Sequence, residues 1–177
     1  MQLAQQQSDS ELISDEHLNN REQYLTFMLN NEEYGVDILK VQGIQGFGKV
    51  TPLPQTPDFI LGVINLRGAI VPIINLRKCF GMDDIPNGPT TVVIVVKVNS
   101  EDKERTIGLV VDAVSEVHDI PRDDLKPAPD FGTDVNSKFI NSLATVNEEM
   151  LILLDIDQLF NAGVMASMDI LDEESLQ

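Results

Sequence analysis

Hydrophobic residues recur along this chain with the two-residue period of β-strands. Leu25, Phe27 and Leu29 fall on one face of such a strand. Segments rich in Val and Ile predict further strands over 34–38, 60–66, 69–76, 91–98, 106–117 and 150–156. Residues typical of turns separate them at Asn30-Asn31, Arg67-Gly68, Asn87-Gly88-Pro89 and Asn99-Ser100. Because no long amphipathic helix lies between these segments, the pattern predicts an all-β fold without parallel βαβ units.

The same pattern occurs twice, in the same order. GVDILKVQGI (35–44) aligns with GLVVDAVSEV (108–117), VTPLP (50–54) with LKPAP (125–129), and IVPIINLRKCF (70–80) with MLILLDIDQLF (150–160). The repeat predicts two β subdomains, about 21–88 and 89–162, packed along an apolar seam, and it leaves open an exchange of strands between them. Val41 and Val114 occupy equivalent positions of the two copies, as do Ile44 and Val117, and all four are candidates for burial in this seam.

The charge of the chain restricts its partners. Against 12 Lys and Arg residues stand 29 Asp and Glu residues, a net charge of −17, which disfavours binding to nucleic acids and to anionic membranes. Residues 1–20 are polar and acidic and are predicted to be a disordered tail. Residues 163–177 are predicted to form an acidic tail or a short helix. The N-terminus lacks the basic and apolar runs of a signal peptide, so we expect a soluble, cytoplasmic protein.

Candidates for catalysis or metal binding are few. The chain has one cysteine and two histidines, too few for a disulfide or a typical zinc site. A His118–Asp112 pair in a pocket would be needed for a small β-barrel enzyme, whereas a solvated or capped His118 is the alternative. Lys78 could lower the pKa of Cys79, but Leu159 occupies the equivalent position of the repeat, which favours a core role. We therefore predict no enzyme activity, metal or cofactor.

One cation stands out in this acidic chain. Arg67 lies in the turn Asn65-Leu66-Arg67-Gly68 between two predicted strands. Gly68 suits a tight turn with positive φ, which would direct the Arg67 side chain outward. Arg67 is then either a solubilising residue or an anchor for the carboxylates of a partner.

Taken together, these segments resemble the CheW family of chemotaxis adaptors. The resemblance covers residues 22–160, and its most specific part is the NLRG-x-IVPI stretch that contains Arg67. It implies two packed five-stranded SH3-like β barrels with short helical turns. It also implies a non-catalytic adaptor, monomeric when free, that couples the cytoplasmic tip of a chemoreceptor to the regulatory domain of the histidine kinase CheA at receptor arrays. An adaptor of another two-component system, such as pilus motility or surface sensing, is the alternative.

The resemblance also implies two sets of partner residues. The expected receptor-binding residues are Val41, Gly62, Asn65, Arg67 and Val117. The expected kinase-binding residues are Ile44, Val50, Lys126, Asp130 and Phe131. This chain departs from the family pattern at Gly43 and Gln45, where Glu and Arg are usual, and at Asn75, where Asp is usual. We therefore expect a partner-facing edge that differs from that of other members.

Overall fold

The computed structural model describes residues 20–128 and 138–165, and most of them lie in β-strands. The strands are β1 (Arg21–Leu29), β2 (Glu32–Asp37), β3 (Val41–Gly46), β4 (Ile60–Leu66), β5 (Ala69–Asn75), β6 (Val92–Ser100), β7 (Lys103–Val111), β8 (Ala113–Pro121), β9 (Lys126–Pro127), β10 (Ile140–Val146) and β11 (Glu149–Leu154). The helices are the 3₁₀ turns Ile38–Lys40 and Arg122–Asp124, α1 (Leu76–Cys79), α2 (Ile156–Gln158) and the π-helical segment Leu159–Met165. None of these described helices is long and apolar enough to cross a membrane.

The strands form two sheets, which confirms the predicted all-β fold. The first sheet has the order β8-β1-β2-β11-β10-β9, and the second has the order β3-β6-β7-β5-β4. The first sheet has six strands rather than five because the two-residue strand β9 pairs with β10 at Lys126 and Pro127. The chain passes from the first sheet to the second through Ile38–Lys40 and returns at Asp112. We call these two connections the crossovers.

Two features of the predicted strand pattern differ from the structure. The predicted strand 106–117 is two strands, β7 and β8, which lie in different sheets on either side of Asp112. A boundary near residue 88 also does not separate the sheets, because β6 and β7 join β3, β4 and β5 in the second sheet. A run of Val and Ile indicates extended backbone, but it does not reveal where that backbone leaves one sheet for another. The strands β3 and β10 were likewise not identified from the pattern.

The two sheets nevertheless share one internal plan. The central contact of the first sheet is the parallel pairing of β2 with β11, in which Gly35 lies opposite Leu153. The equivalent contact of the second sheet is the parallel pairing of β7 with β5, in which Gly108 lies opposite Ile73. In the aligned repeats, Gly35 is equivalent to Gly108 and Leu153 is equivalent to Ile73. Each repeat therefore contributes two strands to one sheet and three or four to the other.

Hydrophobic residues from both sheets form a shared core. Side chains of this core are buried between the sheets, and its bulkiest members include Phe27, Leu29, Ile74, Ile94, Leu109, Leu159 and Phe160. Each sheet also has a smaller cluster of its own, around Leu153 in the first sheet and around Ile73 in the second. Since burial of apolar area provides most of the stabilisation, the shared core explains why neither half of the repeat needs a large core of its own.

Candidate functional site

The hairpin that joins β4 to β5 presents Arg67 at its tip. Arg67 has a φ of 51° and Gly68 a φ of 88°, so both turn residues are in the left-handed region that two-residue hairpins of this kind require. The Gly68 amide donates a hydrogen bond of 2.8 Å to the side-chain Oδ1 of Asn65. Asn65, which the resemblance assigns to the receptor surface, thus shapes the turn, and the Arg67 side chain is exposed as predicted.

Gly62 fixes the other end of this hairpin. It is buried with a φ of 144°, and an added Cβ would lie 2.1 Å from the carbonyl oxygen of Thr51. This approach is so close because Thr51 and Val63 exchange two backbone hydrogen bonds of 2.9 Å. Gly62 therefore holds the hairpin against the segment that follows β3 and offers no side chain to a partner.

An open cleft of about 450 Å³ lies beside Arg67. Its walls come from β3 and from the β4–β5 hairpin, and its residues are Gln42, Gly43, Ile44, Gln45, Leu66, Arg67, Ala69, Val71, Val95 and Thr106. Ile44 is 47% exposed at this cleft, and Val71 and Val95 belong to the buried cluster of the second sheet. Among the residues that the structure describes, none forms an ion pair with Arg67. The cleft thus combines an apolar wall with one unneutralised cation, and we call it the Arg67 cleft.

The predicted site residues fall into several locations. Gly43, Ile44, Gln45 and Arg67 all line the Arg67 cleft. The cleft therefore joins residues that the resemblance assigns to two different partners. This convergence could not be predicted from the sequence, because the four residues lie on two segments separated by a long connection.

The remaining predicted residues lie outside the cleft. Val41 packs against the shared core, and Val50 packs against the cluster of the second sheet. Val117 is 49% exposed on β8 of the first sheet, and Lys126 is exposed on β9. Asp130 and Phe131 lie outside the described residues. The seam interpretation therefore holds for Val41 and its equivalent Val114, which also packs against the shared core, but not for the exposed Ile44 and Val117.

Similarity to known proteins agrees with this architecture. A family model described as the CheW-like domain matches residues 23–164. Over 148 residues the chain is 45% identical to the chemotaxis protein CheW of Klebsiella aerogenes, which covers 84% of this chain and 87% of that protein. The chain belongs to the CheW family.

Two further similar proteins are more distant in sequence, and one of them has a solved structure. The chemotaxis protein CheW of Rhizobium meliloti is 34% identical over 145 residues, covering 81% of this chain and 91% of that protein. The crystal structure of the scaffolding protein TtCheW from Thermoanaerobacter tengcongensis matches with a TM-score of 0.70 at 34% identity, covering 78% of this chain and 92% of that chain. The family and the fold that the sequence predicted are both confirmed.

Several apolar residues that are exposed or that line the cleft were not predicted from the sequence. Ile70, which pairs with Asn65 next to the turn, is 64% exposed, and Met150 at the equivalent position of the repeat is 58% exposed. Leu66 lines the cleft itself. The alternation along β5 was a usable signal for Ile70, because Val71 and Ile73 on the opposite face are buried.

The two residues proposed for a catalytic pair have other partners. Asp112 binds Arg77, whose guanidinium lowers the pKa of the Asp112 carboxyl. The Nε2 atom of His118 lies 3.2 Å from Glu116 and 3.7 Å from Glu33. Within residues 20–128 and 138–165, no group of three or more His, Cys, Asp or Glu side chains converges in a way that could hold a metal ion. Asp112 and His118 therefore pair with other residues rather than with each other.

Cys79 has the core role that the repeat predicted. Its side chain packs against the shared core. Burial raises the pKa of the Cys79 thiol to about 11, which is the opposite of the activation that a neighbouring lysine could cause.

Proposed function

We propose that this chain is a non-catalytic scaffold that couples chemoreceptors to the histidine kinase CheA in chemotaxis. Membership of a family whose relatives are named chemotaxis protein CheW supports this function. A scaffold needs surfaces that partners can occupy together rather than a pocket for a small substrate. On this proposal the chain is recruited to receptor arrays at the inner face of the membrane.

The Arg67 cleft is the observation that carries the proposal. The exposed Arg67 has no ion pair among the described residues and lies beside the partly buried Leu66 on the same hairpin. This pair suits an amphipathic helix that presents carboxylates beside apolar side chains. The cytoplasmic tip of a receptor would dock here, with Val41 and Asn65 supporting the surface from behind and Val117 extending it.

The kinase is proposed to bind next to the receptor. Ile44 and Val50 form one proposed kinase contact, and Lys126 with Asp130 and Phe131 forms the other. Because Ile44 lines the same cleft as Arg67, the receptor and kinase surfaces would share a border at β3. Two partners that meet at one edge are held in a fixed relative position, so that a change in the receptor can bias the state of the kinase.

Substitution of Arg67 tests the docking site. We expect Arg67→Ala to reduce the affinity for receptor-containing membranes about tenfold or more, the loss expected for a central arginine of an interface. The matched control is Arg122→Ala, since Arg122 is an exposed arginine outside the cleft, paired with Glu22. Co-sedimentation with receptor-containing membranes and CheA measures both variants. Equal recruitment of Arg67→Ala and wild type would refute the proposed site. Recruitment of the wild-type chain only by the receptor array of a pilus or surface-sensing system would favour the alternative pathway.

The altered edge at Gly43 and Gln45 is a second part of the proposal. An added Cβ at Gly43 has no atom within 4 Å, so a side chain can begin there without displacing the backbone. We expect Gly43→Glu combined with Gln45→Arg to increase the affinity for a receptor and kinase from a relative with the usual residues. Gly46→Glu, also with open space around its Cβ, is the control for added charge. No gain over that control would show that the edge does not select partners.

A further inference from the structure

Each crossover between the sheets is held by an ion pair to a helix. At the second crossover, Asp112 accepts hydrogen bonds from Arg77 Nε at 2.8 Å and Arg77 Nη2 at 2.6 Å. The Asn30 amide donates a third bond of 2.9 Å to the same carboxylate. Asp112 thus ties the crossover to α1 and to the β1–β2 turn.

The first crossover is held by a similar ion pair. We call each ion pair, together with its hydrogen bond to a hairpin amide, a clasp. Lys40 Nζ lies 3.0 Å from Asp157 Oδ2, and the Asn99 amide donates a hydrogen bond of 2.9 Å to Asp157 Oδ1. Asp157 therefore ties the crossover to α2 and to the end of β6. In each case one carboxylate bridges a cation and the backbone amide of a hairpin.

The two clasps have opposite polarity. Arg77 and Asp157 are equivalent in the aligned segments 70–80 and 150–160, yet one is a cation and the other an anion. Lys40 and Asp112 occupy neighbouring positions of the aligned crossovers, again with reversed charge. Each crossover is therefore matched to its own helix, because pairing Asp112 with Asp157 would place two carboxylates together.

The clasps also differ in strength. The Arg77 and Asp112 side chains are 11% and 23% exposed and joined by two hydrogen bonds, whereas Lys40 and Asp157 are 29% and 33% exposed and joined by one. Bidentate, buried pairs hold their geometry more firmly than single, exposed ones. The shared core sets the packing of the sheets, so the weaker clasp acts locally on the crossover. That crossover ends at Val41, whose amide donates to the Ile38 carbonyl.

We propose that Lys40 and Asp157 are positioning residues for the receptor surface, because their pair holds the Ile38–Lys40 turn and thereby Val41 and the start of β3. This inference rests on the proposed function. The ion pair would order β3, and β3 forms one wall of the Arg67 cleft. Within this turn Ile38 packs against the shared core and the Leu39 amide donates a hydrogen bond to Asp37, whereas Leu39 itself is 86% exposed and Lys40 reaches Asp157.

Hydrogen exchange and receptor binding of the full chain test this proposal together. We expect Lys40→Met and Asp157→Asn to speed exchange of the Val41 amide about tenfold and to weaken binding of a receptor cytoplasmic fragment about fivefold. Lys40→Arg keeps the charge and should behave as wild type in both measurements. The matched control is Lys97→Met, which removes an exposed ion pair with Glu104 in the second sheet and should change neither.

Each contrary result has a separate meaning. Faster exchange with unchanged binding would overturn the positioning role while leaving the proposed function intact. Weaker binding with unchanged exchange would also overturn it, because Lys40 would then be a direct contact. Binding of the wild-type chain to the receptor fragment is measured first. If the wild-type chain does not bind, the proposed function itself is refuted.

Discussion

The guanidinium of Arg77 donates hydrogen bonds from both Nε and Nη2 to the carboxylate of Asp112, at 2.8 and 2.6 Å. Arg77 Nη1 also donates to the Asp83 carbonyl at 2.9 Å. Arg77 therefore holds two parts of the chain. One is the second crossover at Asp112, and the other is the segment that follows α1.

Loss of Arg77 should be costly because it leaves Asp112 half-buried without its cation. We expect Arg77→Met to lower the free energy of unfolding by about 2 kcal/mol, below the range for fully buried pairs because this pair is partly exposed. Urea denaturation measures the change. Arg21→Met is the control, since the Arg21–Asp119 pair is 46% exposed on both sides, and it should cost no more than about 0.5 kcal/mol. Equal costs for the two variants would contradict the prediction.

The same pair should contribute to acid sensitivity. The hydrogen bonds from Arg77 lower the pKa of folded Asp112 below its ordinary value of 3.8. The unfolded chain therefore takes up this proton first, so the stabilisation is complete above pH 3.8 and is lost as the pH falls through the lower folded value. Unfolding free energies of wild type and Asp112→Asn, measured across this range, should converge as the pH falls. A constant difference would show that Asp112 does not titrate in this way.

The two equivalent glycines should be equally intolerant of a side chain. A Cβ at Gly35 would lie 2.7 Å from Leu153 Cδ2, and one at Gly108 would lie 2.6 Å from Ile73 Cδ1. We expect Gly35→Ala and Gly108→Ala each to cost about 1–3 kcal/mol through overpacking. Thermal unfolding measures both, with Gly43→Ala as the control because its Cβ meets open space. A cost at only one glycine would show that the two parallel pairings are not energetically equivalent.

Asn75 should be coupled to Asp84. The Asn75 side-chain amide donates a hydrogen bond of 3.2 Å to Asp84 Oδ1. An aspartate at this position would place two carboxylates together, so we expect Asn75→Asp to cost about 1 kcal/mol at neutral pH. Adding Asp84→Asn should recover most of that loss, because the amide and carboxylate are then exchanged. A double-mutant cycle measures the coupling, and additive effects would refute it.

Cys79 should react slowly with thiol reagents. Burial raises the pKa of the Cys79 thiol to about 11, so at pH 8 the thiolate fraction should be at least about tenfold lower than for a free cysteine. The rate of reaction with a disulfide reagent, compared between folded and urea-unfolded chain, measures this difference. Equal rates in the two states would contradict the buried position.

Several elements of this fold follow from local patterns. The hairpin turns at Asn30-Asn31 and Arg67-Gly68 were predicted from turn chemistry, and both have positive φ at both residues. Strands β4 and β5 were predicted to within one residue. β3 was missed because its sequence, VQGIQG, has two glycines and alternates too weakly. The break at Asp112 was missed because the hydrogen bonds that create it come from Arg77 and Asn30, which are far away in the sequence.

The sequence by itself determined the family, the all-β class and the repeat, because hydrophobic period, turn residues and the NLRG-x-IVPI stretch are local properties. It also determined that Arg67 is exposed, since a two-residue turn directs it outward. Only the tertiary structure decided which strands share a sheet, because the pairing of β2 with β11 and of β7 with β5 joins residues from opposite halves of the chain. The same long-range pairing brought Ile44 to Arg67 and gave each crossover a clasp of opposite charge.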